Sequence, residues 1–531
     1  MRINKVTKIF TASTSISSAA ILIALAYVLS AFFGFVRSRL FATYFGDSVE
    51  LGIFYMADKL PSFLFSLIVL TTVTSAFIPI HAKYKRKGKE EEALFSSNLL
   101  NSLFTIYVVL SLIIFLFAKP LGAFLGLGSL SEKELSFLAT LIRLIVVSQV
   151  FLVISTFFSA HLQSYKRFVL PAFLPFIYNL SIIVTVSTLH KKWGVSSIVY
   201  GMMLGYILGI ILQIWVLKGK FKYHFKLDIF SKGNKEVYKL VAPRLFGVFG
   251  YRFYTLLLGI TIPKIYQSPS YLVIYEFANQ LQTMPVNIFG MALSQALMPS
   301  LSEYIAEDNK SKVIKTLKKY VIQMSYFLIP VSVLFIVLRI PLVRLLFGGD
   351  RFSWLGTNLT AYTLTFFSLS IWFQAISLVL TKVYYSLEDS RIPTVINVIT
   401  MFLSLIISFV FSLGLNYGVW SFALAFSLGA IVNTGLLYYY LTKEFGSFLN
   451  ELISPLLKML YSASISGISI YIGLKYLEKF VFDTTHTVPL FILTSLVTIL
   501  GLTIYLSIGS ILGLQEHKII YRKMKKLLNK V

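Results

Sequence analysis

Arg37 and Arg39 stand in the stretch Gly34 to Gly46 that follows nineteen residues, Ser15 to Phe33, that carry no charge, and few other ionisable groups interrupt the long apolar runs of this chain. They include Asp58, Lys59, Arg143, Arg244, Arg252, Glu276 and Lys382. A charge at the centre of a bilayer costs roughly 2.5 to 3.5 kcal/mol on insertion scales, so such a group faces a cavity or a partner. Among these named residues seven bases against two acids leave a cationic surplus, and the planar guanidinium fork matches phosphate oxygens. The chemistry on offer is therefore capture of an anion. Arg37 and Arg39 point about 200° apart on a helix, so one faces a cleft while the other serves as its helper or reaches lipid headgroups. Asp58 is placed to neutralise Lys59 or Arg37, and Glu276 to pair with Arg252. Arg252, near the middle of its span, is the leading ligand, with Arg37, Arg39, Lys59 and Arg143 as the other candidates. Arg244 lies a turn from a span end and reads as interfacial. His81, His161 and His190 sit at span ends without ligand spacing and read as surface or interfacial residues.

The elements that must hold these groups are membrane helices. Of 531 residues 57% are hydrophobic and 13% charged, with a mean hydropathy of +0.79, far from a soluble composition. Lys and Arg number 48 against 22 acids, but they crowd into short segments between apolar runs, which argues for membrane topology and against nucleic acid. Runs long enough to cross about 30 Å of hydrocarbon occur near 15–36, 51–80, 94–118, 135–162, 168–189 and 195–217. After a basic loop they resume near 238–263, 271–300, 320–341, 357–385, 393–415, 417–441, 454–474 and 489–513. The fold class expected is an all-α polytopic membrane protein of fourteen transmembrane helices, the first of them an uncleaved span rather than a signal peptide. With the N-terminus inside, residues 83–89, 165–167, the seven-lysine segment 218–239, the lysines of 310–319 and the tail "YRKMKKLLNK" all fall on the cytoplasmic side, as the positive-inside rule demands. The absence of cysteine excludes disulfides and thiolate metal sites.

The chain also repeats itself. "TSAFIPIHAKY" (74–84) answers "SQALMPSLSEY" (294–304) at an offset of 220, "ADKL" (57–60) answers "ANQL" (278–281) at 221, and "SYKRFVLP" (164–171) answers "SLEDSRIP" (386–393) at 222. Such duplication is a transporter signature. The offset spans six helices, so the expected architecture is two six-helix lobes related by a pseudo-twofold along the membrane normal, with helices 13 and 14 outside the repeat. The corresponding division is 1–217, a basic linker 218–237, 238–445, and 446–531. Pro61, Pro79, Pro171, Pro175, Pro285, Pro299 and Pro393 fall in or beside spans, where each removes a backbone donor and can bend its helix. No G-x-x-x-x-G-K-[ST] or His-Glu-x-x-His sequence occurs, so ATP hydrolysis and metalloprotease chemistry have no support. The expectation is a protein that is not an enzyme and has no cofactor, driven by Na+, by the membrane potential or by consumption of its product.

The segments "GFVRSRLFATYFG", "DKLPSFLFSLIVLTTVTSAFIPI", "LQSYKRFVLPAFLPFIYN", "ALSQALMPSLSEY", "LFGGDRF" and "YYSLEDSRIPTVINV" resemble, in order, those of the MurJ/MviN family of lipid II flippases in the multidrug/oligosaccharidyl-lipid/polysaccharide exporter superfamily. The resemblance implies a cationic cavity between two lobes, a groove on helices 13 and 14 for a polyprenyl tail, and alternating access. It implies lipid II as partner, the bacterial cytoplasmic membrane as location with both termini inside, a role in peptidoglycan synthesis and cell shape, and cell-wall synthesis enzymes as candidate partners. The family's helix 1 and helix 4 arginines fall on Arg37 and Arg143. Three others fall on Ala31, Phe65 and Gln280, which leaves room for Arg39, Lys59 and Arg252 to supply the missing charge. It also leaves room for another undecaprenyl-diphosphate-linked polysaccharide unit as substrate. A cation-coupled small-molecule exporter would be expected to carry buried carboxylates instead, and a non-transporting scaffold would not need the repeat or the proline-bent helices. For a sodium ion, Asn397 is the one candidate ligand.

Overall fold

The computed structural model describes residues 16–219, 221–514 and 516; Arg2, Lys5, Lys8 and the basic tail lie outside them. Among the described residues every regular element is helical, as hydrocarbon requires, because a helix satisfies its backbone polar groups within one segment. Eleven helices are long and apolar enough to cross a bilayer, or up to thirteen with each of two bent pairs taken as one span. The remaining expected span, 271–300, is helical throughout. The chain forms two compact units, one running to Val273 and including Gly349–Phe352, the other comprising Ile274–Gly348 and the residues from Ser353 onward.

The first unit contains α1 (Ile16–Tyr44), α2 (Val49–Phe65), α3 (Ile78–Lys87), α4 (Lys89–Leu116), α5 (Ala118–Gly126), α6 (Glu132–Ser164), α7 (Val169–Trp193), α8 (Ser196–Leu217) and α9 (Lys232–Tyr266). Between α2 and α3 the helix continues through two π-segments, Ser66–Leu70 and Val73–Phe77. α9 runs antiparallel to this long helix. Gly52 meets the Pro269 carbonyl and Gly259 the Lys59 stem, Phe63 packs on Phe249, and Lys83 pairs with Glu236 at 2.8 Å. α7 and α8 approach through Gly201, Gly205 and Gly209, spaced by four. A Cβ would stand 2.6 Å from Ile182 Cα at Gly201 and 2.9 Å from Tyr178 Cα at Gly205, so only glycine admits this close small-residue crossing.

The second unit begins within α10 (Ser270–Pro285) and continues with a π-segment Val286–Met291, then α11 (Ala292–Ala306), α12 (Lys310–Val337), α13 (Arg339–Phe347), α14 (Trp354–Ser368), α15 (Ile371–Ser386), α16 (Arg391–Phe409), α17 (Trp420–Phe445), α18 (Leu449–Phe480) and α19 (Thr487–Ile511). α18 and α19 pack together where Ser466 Oγ donates to the Gly501 carbonyl at 2.7 Å, and Tyr505 Oη ties α19 to α12 through the Tyr326 carbonyl at 3.0 Å.

Backbone geometry recurs at the offset of the sequence repeat. The π-segments starting at Ser66 and Val286 stand 220 residues apart. Positive φ angles recur at Gly88 and Asp308, at Lys166 and Glu388, and at Gly194 and Asn416, the second and third pairs at an offset of 222. A left-handed residue costs a side chain roughly 1 to 2 kcal/mol, least for Asn and Asp. Gly88 (ψ 163°) and Gly194 (ψ −138°) lie outside the αL well, so these pairs share the sign of φ.

Candidate functional site

Arg37 lies on the last turns of α1, half-buried, and its Nη1 donates to Asn179 Oδ1 on α7 at 3.0 Å. Asn179 is itself held: its Nδ2 donates to the Ser30 carbonyl at 3.1 Å, and Gly34 leaves room for the amide. The remaining guanidinium edge faces the Phe41 ring at 5.7 Å, while the buried Nε has no hydrogen-bond partner. A neutral amide orients this cation without cancelling its charge. The stacked Tyr178–Tyr206 pair, 5.1 Å between centroids, is within electrostatic reach of both Arg37 and Asp58.

Asp58 Oδ1 accepts from Ser62 Oγ at 3.0 Å. Ser62 Oγ also accepts from Gln149 Nε2 on α6 at 3.2 Å, and Gln149 Oε1 accepts from Tyr107 on α4 at 2.7 Å. One carboxylate is thus wired through three helices. Lys59, half-buried, lays its stem on Gly259 of α9, where an added Cβ would stand 2.6 Å from Lys59 Cγ. Arg252 lies on the same helix about 10 Å before Gly259 at 1.5 Å per residue, half-buried beside the Tyr251 ring at 5.9 Å. Arg143 turns instead to α4, its Nε donating to the Phe115 carbonyl at 3.1 Å, and no contact brings it to Arg37. Among the described residues no carboxylate pairs with Arg37, Arg143 or Arg252. Arg39 is half-buried on α1. Glu276 belongs to the second unit and Arg252 to the first.

The positions where the family resemblance expects arginine divide by environment. Ala31 is exposed and Gln280 half-buried. Phe65 is buried and packs edge-on against Tyr107 at 6.2 Å, so an arginine there would place a charge in an aromatic contact.

In the second unit Asn397 is bound into a neutral network. Its Oδ1 accepts from Asn433 Nδ2 at 2.7 Å, Asn433 also donates to Thr400 Oγ1 at 3.0 Å, and Ser377 Oγ donates to Asn433 Oδ1 at 2.9 Å. The Asn397 oxygen is satisfied by an amide, and among the described residues no group of three His, Cys, Asp or Glu side chains gathers as metal ligands.

Two histidines expected at the surface are buried instead: His81 and His161 are each 1% exposed. His81 Nε2 lies 3.1 Å from Glu92 Oε1, Tyr165 Oη donates to the same oxygen at 2.6 Å, the His161 ring stands 5.0 Å from His81, and Lys85 Nζ sits 4.2 Å above the Tyr165 ring. Burial pushes the His81 imidazole, past the end of its span, down to about 4 against the partial pull of Glu92. Two stretches, 81–92 and 161–165, supply this cluster, and neither announces the other by its spacing. His190 is half-buried and stacks on Tyr44 at 3.9 Å.

The family profile described as lipid II flippase MurJ matches residues 41–503. A probable lipid II flippase MurJ of Borreliella burgdorferi is 25% identical over 470 residues, 87% of this chain and 90% of that protein. The lipid II flippase MurJ of Thermosipho africanus is 26% identical, over 80% of this chain and 85% of its own. A solved lipid II flippase MurJ in an inward closed conformation superposes with a TM-score of 0.77 at 23% identity, covering 95% of this chain and 99% of that one. An inward-facing multidrug resistance MATE transporter of the MOP superfamily shares the fold at a TM-score of 0.66 and 12% identity, over 80% of this chain and 98% of its own. With the match reaching from α1 into α19, this chain belongs to the lipid II flippase MurJ family.

Proposed function

We propose that this chain is a lipid II flippase, a transporter rather than an enzyme, that carries the undecaprenyl-diphosphate-linked peptidoglycan precursor from the inner to the outer leaflet of the bacterial cytoplasmic membrane. Alternating access of the two repeat halves, with both termini in the cytoplasm, is the mechanism in keeping with the duplicated turns and the basic loops. The observation that carries the reading is Arg37, a half-buried guanidinium oriented by the neutral Asn179, with no carboxylate partner and one buried N–H unspent. A cation left uncompensated at membrane depth is costly unless an anion completes it, and a diphosphate does so with charge-assisted hydrogen bonds. Lys59 and Arg252, sharing the α2–α9 contact, are proposed as its helpers. The membrane potential is the proposed energy source, which asks nothing of the satisfied Asn397 network.

Expression of the chain in a bacterium depleted of its own lipid II flippase tests this. Rescue by the wild type and not by Arg37→Ala, at equal membrane abundance, is expected; equal rescue by both refutes the role of Arg37, and failure of the wild type refutes the substrate. Phe65, seated in an apolar contact where the resemblance expects arginine, favours a second reading in which another undecaprenyl-diphosphate-linked glycan is carried. Failure of rescue together with binding of such a glycan would select it.

A further inference from the structure

A groove of about 410 Å³ lies between α7 and α8 in the first unit. Its walls are wholly apolar: Leu170, Phe173 and Phe176 from α7, and Leu212, Trp215 and Val216 from α8. The volume falls within the range of about 300 to 1,000 Å³ typical of small-ligand sites. Trp215, 47% exposed, and Leu212, 36% exposed, leave the groove open to the surrounding hydrocarbon.

One end of the groove is cationic. Arg167 donates through Nη1 to the carbonyl of Val216, a wall residue, which fixes a guanidinium at the rim and satisfies one of the open carbonyls at the end of α8. Among the described residues no carboxylate pairs with it. Lys166, exposed in a left-handed turn, precedes it, and Lys218, also exposed, follows α8 directly. Neither 163–177 nor 208–222 contains Asp or Glu. An apolar slot with a basic rim at one end of membrane helices matches an amphiphile with a hydrocarbon chain and a phosphate.

We propose that the α7–α8 groove binds an anionic glycerophospholipid of the bilayer, one acyl chain lying along Phe173, Phe176 and Trp215 and the phosphate seated on Arg167. A glycerophospholipid is favoured over the transported precursor because the groove is short for a long polyprenyl chain, and because one guanidinium, with a donor already given to Val216, suits a single phosphodiester rather than a diphosphate. Bound there, the lipid bridges two helices whose crossing is fixed by Gly201, Gly205 and Gly209, and ties the state of this unit to membrane composition.

The site is tested with the full chain in phosphatidylcholine vesicles containing a minor fraction of phosphatidylglycerol brominated on its acyl chains. Quenching of Trp215 is read as the difference between wild type and Trp215→Phe. The expected result is quenching about fivefold above that of brominated phosphatidylcholine at the same mole fraction, the preference that one basic residue near an anionic lipid supplies. That preference should vanish in Arg167→Gln and persist in Arg167→Lys, which keeps the charge if the glutamine variant fails to fold. Equal quenching by the two lipids overturns the proposal. So does a preference unchanged by Arg167→Gln, or relief of quenching by unlabelled lipid II but not by unlabelled phosphatidylglycerol.

Discussion

Acidification should weaken the first unit through His81. The imidazole is 1% exposed and its pKa is lowered from 6.5 to about 4, chiefly by burial, with Glu92 raising it and Lys85 lowering it. His161 from α6, Glu92 from α4 and Tyr165 from the following turn complete its ionisable surroundings. A folded-state pKa below the unfolded value means that the native state holds the neutral ring. Stability is therefore full above about pH 6.5 and is lost as the pH falls from 6.5 toward 4. Between pH 7 and pH 5 the unfolded ring takes up a proton that the folded ring refuses, and the two pKa values convert to a loss of about 2 kcal/mol, rising to about 3 kcal/mol below pH 4. The assay is reversible unfolding in mixed micelles at pH 7 and pH 5, comparing wild type with His81→Phe. The variant cannot bind the proton, so its loss between the two pH values should be smaller by about 2 kcal/mol. An equal loss in both proteins would show that His81 does not hold its neutral form against the solvent, and the reasoning from burial would fail.

Gly201→Leu should unfold the α7–α8 pair or cost at least 1 to 3 kcal/mol, roughly the penalty of overpacking, because its Cβ would fall 2.6 Å from Ile182 Cα. Gly435→Ala, where nothing lies within 4 Å of the new carbon, should instead be neutral or stabilise its helix by up to about 1 kcal/mol, and melting of the purified chains separates the two. Asn179→Ala removes the acceptor that orients Arg37; it should lower precursor flipping by about tenfold, the effect of about 1.4 kcal/mol in positioning, while protein abundance in the membrane is unchanged. Flipping at the wild-type rate would refute the orienting role.

The candidate site was only partly legible in the residues. Arg37 stood out because a charge beside an uncharged run is costly, yet the residue that aims it, Asn179, lies 142 positions away and is an unremarkable amide in its own span. Lys59 and Arg252 stand 193 positions apart, and their common place along the α2–α9 contact depends on Gly259, whose lack of a side chain carries meaning only once two helices cross. Proximity along the chain offers Asp58 an ionic partner in Lys59, and its carboxylate also enters a hydrogen-bonded chain through Ser62 and Gln149. Span-end positions are exposed on an isolated helix, so the sequence suggests surface or interfacial sites for His81 and His161, whereas here α3, α4, α6 and the turn at Tyr165 close over them.

By itself the sequence determined the all-helical membrane class, the near-220-residue repeat and the cationic surplus, because each follows from quantities local to the chain: hydropathy over a span length, identity at an offset, and the sign of a charge. Only the tertiary structure decided which charges are satisfied and by what. Partnership within hydrocarbon is made between helices, through amides, glycines and carbonyls such as Asn179, Gly201 and Val216. Their distances along the chain bear no relation to their distances in space.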